Sequence, residues 1–104
     1  LDNVIDYNLE RHALESQKNN ATKDRRIGLG ILGLGDMFVR MGIKYDSDDA
    51  IQTVEQVMRI FRDGAYETSV ELANEKGSFP SFDSAGYRKS QFIKNLPRNL
   101  NNKI

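Results

Sequence analysis

The sequence predicts a mainly α-helical chain with one long helix over residues 47–76 and a glycine-rich helix over residues 30–41. Three observations lead to this class. Apolar residues recur every three or four positions along the long segment, capping residues stand at both of its ends, and four apolar residues of the glycine-rich segment fit one helix face.

The first quarter of the chain predicts two short helical runs. Leu1, Val4 and Ile5 have helical spacing in residues 1–8. Residues 9–22 contain few apolar positions, so a helix there has a weak anchor, and we expect Asn19-Asn20 to break it.

The glycine-rich helix comes next. Four glycines alternate with apolar residues, and from residue 31 the apolar positions follow helical spacing. We expect Gly42 to end this helix in a left-handed conformation. Glycine inside a helix costs about 1 kcal/mol relative to alanine, so Gly33 and Gly35 predict close packing against another backbone.

The long helix has the clearest pattern. The segment Asp46–Asp49 offers an N-cap oxygen and acidic residues for the positive end of the helix dipole. Glu55 and Arg59 stand four residues apart in the favourable order. Lys76 and Gly77 predict the end of the helix, which would be roughly 45 Å long.

The last quarter is predicted to be less regular. Pro80 favours an extended path, and Phe79 and Phe82 are interpreted as packing anchors of a non-helical segment. A short helix is predicted over residues 85–96, ended by Pro97, and residues 98–104 show no periodicity.

Composition excludes several function classes. The 104 residues carry 15 basic and 15 acidic side chains, and this neutrality argues against a strongly basic nucleic-acid binder. There is no cysteine and only one histidine, His12, so thiol chemistry and a histidine-based metal site are not expected. The apolar runs are too short to span a membrane. The start of the chain has no signal-peptide pattern and no methionine, which indicates a piece of a longer, cytoplasmic protein.

Two motifs allow a ligand-binding interpretation. Gly28, Gly30 and Gly33 spell the G-x-G-x-x-G dinucleotide fingerprint, but no buried strand precedes them, so a tightly packed helix is favoured. The pair Arg25-Arg26 has the chemistry to bind phosphate, yet a solvated helix end or an interdomain salt link is more common.

Charged residues offer three further candidates. Asp2 and Asp6 share a helical face, although general acid–base work would also need a pocket and a shifted pKa. The acidic run at Asp46–Asp49 lacks the glycine and glutamate of a calcium loop, so capping explains it better. His12 lies in a polar segment and is expected to be exposed.

A basic stretch near the end of the chain allows a nucleic-acid contact as one interpretation. Aromatic residues Tyr87 and Phe92 are interleaved with five basic residues, a pattern that can touch nucleic acid. The balanced total charge makes a solvated surface the favoured interpretation. The basic residues are Arg88, Lys89, Lys94, Arg98 and Lys103.

Four ordered stretches resemble the catalytic (large) subunit of ribonucleotide reductase. Their order and spacing are most similar to the class II, adenosylcobalamin-dependent branch, and class I parentage stays open. The resemblance covers residues 1–97, with Gly35 where the family usually has alanine. The stretches are Leu1–Asp6, Arg25–Met37, Gly42–Ser47 and Glu71–Asp83.

The resemblance implies that residues 1–104 are one helical segment of a larger catalytic domain. That domain, a ten-stranded α/β barrel, reduces ribonucleotides to 2′-deoxyribonucleotides by radical chemistry. The catalytic cysteines of the family lie on other segments, so no catalytic residue and no metal ligand is assigned here. Cobalamin contacts cannot be placed on individual residues. The implied cofactor is adenosylcobalamin in the parent enzyme, with none for the isolated chain, which is predicted to be inactive.

The implied partners are the rest of the reductase chain and a ribonucleotide substrate, with no nucleic acid and no membrane. The sequence also allows an alternative function. The chain would then be a free-standing small helical protein that acts as an interaction module and self-associates through exposed apolar helix faces.

Overall fold

The computed structural model describes residues 1–104 and contains seven helices and no strand. The mainly α-helical prediction is therefore confirmed. In chain order the helices are α1 (Asp2–Asn8), α2 (Glu15–Asp24), α3 (Leu34–Met41), α4 (Asp48–Lys76), α5 (Ser84–Lys89), α6 (Gln91–Lys94) and α7 (Arg98–Asn101).

Helix α4 matches its sequence prediction at both ends. The Ser47 hydroxyl accepts a hydrogen bond from the Ala50 N–H at 3.2 Å, which satisfies one of the free donors of the first turn. Gly77 follows the last helical residue, and its N–H donates to the Ala73 carbonyl. The 29 residues of α4 form the longest element, and the C-terminal helix α7 packs against it.

Helix α3 is shorter than the predicted helix over residues 30–41. It begins only at Leu34, because Gly33 is its N-cap with φ +78°, a left-handed conformation that favours glycine. The predicted close packing at Gly33 and Gly35 is wrong within this chain, since no atom lies within 4 Å of a Cβ placed at either glycine. The predicted left-handed end at Gly42 is confirmed, with φ +68°.

The predicted break at Asn19-Asn20 is also wrong. Helix α2 runs through both residues and ends at Arg25, which has the left-handed φ of +43°. The intrinsic cost of asparagine inside a helix is below about 0.7 kcal/mol per residue, too small to end a helix whose neighbours are good helix formers.

The C-terminal region is more helical than predicted. The single helix over residues 85–96 is divided into α5 and α6 at Ser90, where ψ is +129° and the helical hydrogen bonds stop. The tail that lacks periodicity forms the short helix α7 directly after Pro97, whose fixed φ suits the start of a helix.

Three of the five buried residues form one small core. Ile93, Leu96 and Leu100 make a core over α4, to which Tyr66 and Val70 contribute partly buried side chains. Phe38 and Ala50 are the other buried residues. Only five of the 104 residues are buried, so internal packing explains little of this arrangement.

The chain is extended rather than compact. Its radius of gyration is 17.4 Å, whereas a compact domain of this length has about 13 Å. Its accessible surface is 8180 Å². None of its helices combines the length and the apolar character that crossing a membrane requires.

Candidate functional site

The most developed polar site joins the ends of three helices. Asp2 and Asp6 lie one turn apart on α1, Arg25 follows the last residue of α2, and Lys76 lies in the last turn of α4. These four residues are called the ionic cluster below. Arg25 has a left-handed backbone conformation, with which α2 ends. Its side chain contacts the carboxylates of Asp2 and Asp6.

Each cation in the ionic cluster contacts both carboxylates. The Arg25 Nη2 atom lies 2.6 Å from an Asp2 oxygen and 2.8 Å from an Asp6 oxygen. The Lys76 Nζ atom lies 2.7 Å from Asp2 and 2.9 Å from Asp6, and it also donates to the Asn3 side-chain oxygen at 3.1 Å. The Asp2 side chain is 12% exposed, which makes it the best-shielded member.

The electrostatics of the cluster keep all four groups charged. Hydrogen bonds from Lys76 and then from Arg25 hold the pKa values of Asp2 and Asp6 below the ordinary value of 3.8. The same bonds raise the pKa values of Lys76 and Arg25. A general acid near neutral pH needs a raised carboxyl pKa, so Asp2 and Asp6 are suited to holding helices together and not to proton transfer.

A second link ties the end of α2 to the loop after α4. The Ser81 hydroxyl donates to an Asp24 carboxylate oxygen at 2.7 Å, and the Ser81 N–H donates to the Lys23 carbonyl at 3.1 Å. Together with the ionic cluster, this link fixes where α2 ends, and so where the segment between α2 and α3 begins.

An aromatic groove of about 560 Å³ is lined in part by that loop. Phe79 and Phe82 pack edge to face with ring centres 5.3 Å apart, and Phe82 packs on Tyr87 at the same distance. Both phenylalanines therefore act as the predicted packing anchors. Burial, followed by a hydrogen bond with Tyr66, raises the pKa of Tyr87 to about 12.

The structure also decides between the alternatives for several candidate residues. Arg25 forms the salt link, while Arg26 is exposed and makes no ion pair. The Ser47 cap explains the acidic run at Asp46–Asp49, and no group of three metal-ligating side chains is found there or elsewhere.

The expectation that His12 is exposed is wrong. It is half-buried, and its Nε2 atom has no hydrogen-bond partner.

The remaining two motifs lack the context that their ligands need. Gly28 and Gly30 lie outside any helix, and no strand precedes them in this chain, as the dinucleotide fingerprint would require. The five C-terminal basic residues are all exposed, whereas Tyr87 is only partly exposed and packs edge to face with Phe82.

Sequence reasoning missed Lys76 and Ser81 as members of these links. Lys76 lies 70 residues from Asp6 along the chain and was assigned only to the end of α4. No spacing pattern pairs residues so distant in sequence, and only the folded path of α4 brings them together.

Apolar surface is the other prominent feature. A compact protein of this mass exposes about 5,900 Å², so the chain exposes roughly 2,300 Å² more than expected. Large apolar side chains on α1, α3, α4 and the intervening segments contribute to it, Leu32 being fully exposed and Val39 80% exposed. Excess surface of this size is in the range that obligate partners bury.

Comparison with known proteins places the chain in a family. The model of the ribonucleotide reductase barrel domain matches residues 1–103. The chain belongs to this family. The family resemblance stated from the sequence is thereby confirmed.

Several curated reductases are similar to the chain. A vitamin B12-dependent ribonucleoside-diphosphate reductase of Mycobacterium tuberculosis (strain CDC 1551 / Oshkosh) is 36% identical over 90 residues, which cover 86% of this chain and 13% of the relative. A protein of the same description from Thermoplasma acidophilum is 36% identical over 89 residues, 86% of this chain and 11% of the relative. A ribonucleoside-diphosphate reductase large subunit from African swine fever virus (isolate Tick/South Africa/Pretoriuskop Pr4/1996) is 38% identical over 89 residues, which cover 86% of this chain and 11% of the relative.

The chain thus spans only about an eighth of the length of these relatives. No solved structure matches it.

Proposed function

We propose that residues 1–104 are one section of the larger catalytic domain of a ribonucleoside-diphosphate reductase. The whole enzyme would convert ribonucleotides to 2′-deoxyribonucleotides by radical chemistry. The observation that carries this proposal is the match of residues 1–103 to the barrel domain of that family. The contribution of this section is structural: it supplies helices and carries no catalytic residue.

The partner in this proposal is the rest of the reductase chain. Its contact surface is the apolar area that the chain leaves exposed. About 55–60% of a protein surface is apolar, so the excess of roughly 2,300 Å² contains on the order of 1,300 Å² of apolar area. At about 25 cal/mol per Å², burying that apolar area would be worth roughly 30 kcal/mol before entropic costs. The folded arrangement is therefore expected to reach full stability only in the assembled enzyme.

The ionic cluster has a defined part in this assembly. It fixes α1 and the end of α2 against the end of α4, while Ser81 fixes the loop that follows. Because charged groups at the cluster satisfy one another, α1 can be positioned without an apolar core of its own. The apolar faces of these helices are then presented together to the partner.

The proposal extends to adenosylcobalamin as the cofactor of the complete enzyme, in keeping with the vitamin B12-dependent relatives. The residues present do not fit the cofactor itself. The aromatic groove is open and its volume suits a small ligand, while a corrin ring with its nucleotide is much larger. We therefore place cobalamin on the rest of the enzyme, together with the ribonucleoside diphosphate, and propose a cytoplasmic location.

The exposed apolar faces also support a second candidate function. A free-standing chain could cover them by self-association and serve as an interaction module. The family match favours the reductase, because self-association alone does not explain similarity along nearly the whole chain.

The deciding experiment is a reconstitution. The 104-residue chain is assayed for deoxyribonucleotide formation with a ribonucleoside diphosphate, adenosylcobalamin and a dithiol, alone and in assembly with the remaining regions of the reductase. We expect no turnover from the chain alone and turnover from the assembly. Turnover by the isolated chain would refute the structural role, and an inactive assembly would refute the reductase assignment. Sedimentation of the chain as a stable dimer would favour the second candidate.

A further inference from the structure

The aromatic groove is built by three neighbouring parts of the chain. The loop after α4 supplies Phe79 and Phe82, α5 supplies Tyr87, and α6 supplies Phe92. Phe92 is 49% exposed, and its ring centre lies 5.5 Å from that of Tyr66 on α4. Aromatic rings around an open cavity of this size are typical of a site that accepts apolar side chains of a ligand.

The two short helices that build the groove also carry unpaired positive charge. Residues 84–104 contain five basic side chains and no acidic one, whereas residues 1–83 contain ten basic and 15 acidic residues, a net charge of −5. All five C-terminal basic side chains are exposed, and none forms an ion pair within the chain. Arg88, Lys89 and Lys94 lie on α5 and α6, directly after groove residues in the sequence.

One acidic side chain lines the groove, but its oxygens are already engaged. The Asp83 carboxylate caps α5 by accepting hydrogen bonds from the Ala85 and Gly86 N–H groups, both at 3.1 Å. Its charge is therefore directed at the positive end of the helix dipole. The basic residues at the other end of α5 keep no counter-charge in the chain.

These charges restrict what can cover this side of the chain. An unpaired lysine or arginine is almost never fully buried, because removing its charge from water is costly. The outer faces of α5 and α6 therefore stay in water or meet acidic groups, in contrast to the apolar side chains that α3 and α4 expose. A surface that stays in water remains accessible to a second protein.

We propose that the aromatic groove and the basic side chains of α5 and α6 bind a short acidic peptide segment of a separate protein. An apolar side chain of the peptide enters the groove against the aromatic rings, and its carboxylates pair with Arg88, Lys89 and Lys94. The apolar anchor provides most of the affinity, because well-packed contacts at the centre dominate interfaces. The charges attract and orient the peptide. This docking surface goes beyond the reductase assignment and does not require it.

A nucleic acid is the less suitable anion for this surface. A long polyanion also approaches residues 1–83, whose negative net charge repels it. The lining of the groove contains no basic side chain that could hold a phosphate beside a stacked base. A short peptide contacts only the basic side of the chain and uses the groove for an apolar side chain.

The test is fluorescence anisotropy of a fluorescein-labelled peptide in which glutamate alternates with phenylalanine and leucine. The peptide is titrated with the assembled reductase and with the 104-residue chain. We expect saturable binding to both, weakened at least about tenfold when the apolar residues of the peptide become serine or its glutamates become lysine. Absence of binding to the assembled reductase, or equal binding of the lysine peptide, would overturn the proposal.

Two variants separate the groove from its charges. Phe92→Ala removes one ring and should weaken binding at least about tenfold. Arg88→Gln combined with Lys89→Gln should weaken binding roughly fivefold at low salt and reduce its salt dependence. The second variant changes only exposed side chains, so it tests the proposal even if Phe92→Ala disturbs folding.

The matched control is Lys44→Gln. Lys44 is also exposed and without an ion pair, but it lies before the start of α4, whereas the groove lies beside the second half of that helix. Peptide binding should be unchanged in this variant. Equal weakening by Lys44→Gln and by the double variant on α5 would show a general charge effect and overturn the docking surface.

Three other results would also overturn the proposal. Tighter binding of single-stranded oligothymidylate than of the peptide would assign the surface to nucleic acid. Self-association of the chain that the peptide displaces would assign it to a second copy. Peptide binding to the 104-residue chain but not to the assembled reductase would show that the rest of the reductase covers the groove. An assembly that binds the peptide but forms no deoxyribonucleotide would refute the reductase assignment alone.

Discussion

The ionic cluster should control the position of α1. Helix α1 contains no buried residue, so the four charged side chains supply most of what holds it to α2 and α4. The most informative change is Asp2→Asn, because Asp2 accepts hydrogen bonds from both cations and is the most shielded member. Asparagine keeps the size of the side chain and removes its charge.

The size of the effect follows from the exposure of the groups. Exposed ion pairs are worth 0.2–1 kcal/mol, as a rough range, and charge-assisted hydrogen bonds about 1.5–3 kcal/mol. Asp2 makes two such contacts at 2.6 and 2.7 Å, but the cluster lies at the surface, where solvent screens it. We expect Asp2→Asn to weaken the docking of α1 by about 1 kcal/mol, which lowers the ratio of docked to undocked chains roughly fivefold.

A distance measurement tests this directly. The chain has no cysteine, so Val4→Cys and Asn74→Cys can carry spin labels on α1 and α4 without background. The distribution of label distances should be narrow in the otherwise unchanged chain and should gain a broad, longer component with Asp2→Asn. The matched control is Glu55→Gln, which breaks the exposed pair with Arg59 on α4 and should leave the distances unchanged. An unchanged distribution with Asp2→Asn, or an equal change with the control, would refute the role of the cluster.

Three further predictions concern pH, a helix cap and the core. Because the carboxyl pKa values of Asp2 and Asp6 are lowered, the docking of α1 is stabilised at every pH above their ordinary pKa of 3.8 and is lost as the pH falls through the lowered values. The pKa of Lys76 is raised, so loss of docking on the alkaline side is expected only above its ordinary pKa of 10.5. Label distances that stay constant from pH 7 to 2 would contradict this prediction. Ser47→Ala should destabilise the first turn of α4 by about 1 kcal/mol, seen as faster exchange of the Ala50 amide, and unchanged exchange would contradict the cap. Leu100→Ala should destabilise the C-terminal core by about 2–5 kcal/mol in thermal unfolding, because Leu100 is 1% exposed. The control Leu32→Ala should have little effect, because Leu32 is fully exposed. Similar losses of stability in the two variants would contradict the role of this core.

Local structure was predictable from the sequence wherever neighbouring residues determine it. The bounds of α4 follow from the Ser47 cap and Gly77, and the left-handed end of α3 follows from Gly42. The ion pair of Glu55 and Arg59 was also predictable, since a helix places residues four positions apart on the same side. Its Arg59 Nη2 and Glu55 Oε1 atoms lie 2.7 Å apart.

The errors fall where local patterns compete or where distant residues meet. Four apolar residues at helical spacing suggested a helix from residue 30, but the left-handed Gly33 delays it to Leu34. The sequence predicts two parts of the candidate site separately. Asp2 and Asp6 share a helix face as expected, and a salt link is one interpretation of Arg25. Their common partner Lys76 depends on the path of the whole chain, which no local pattern contains.

The same distinction explains why a chain with so small a core has well-defined helices. Capping, ion pairs and side-chain spacing act over a few residues, so they determine where a helix begins and ends without a contribution from distant residues. Burial of apolar surface, which provides most of the stability of a protein, needs surfaces that this chain does not contain. The segment Arg26–Ile31 is the extreme case, because its backbone makes no hydrogen bond within the chain, whereas a helix pairs its own backbone groups. Local contacts therefore account for the helices of this chain, while its small core and large exposed apolar side chains show how little burial contributes to their arrangement.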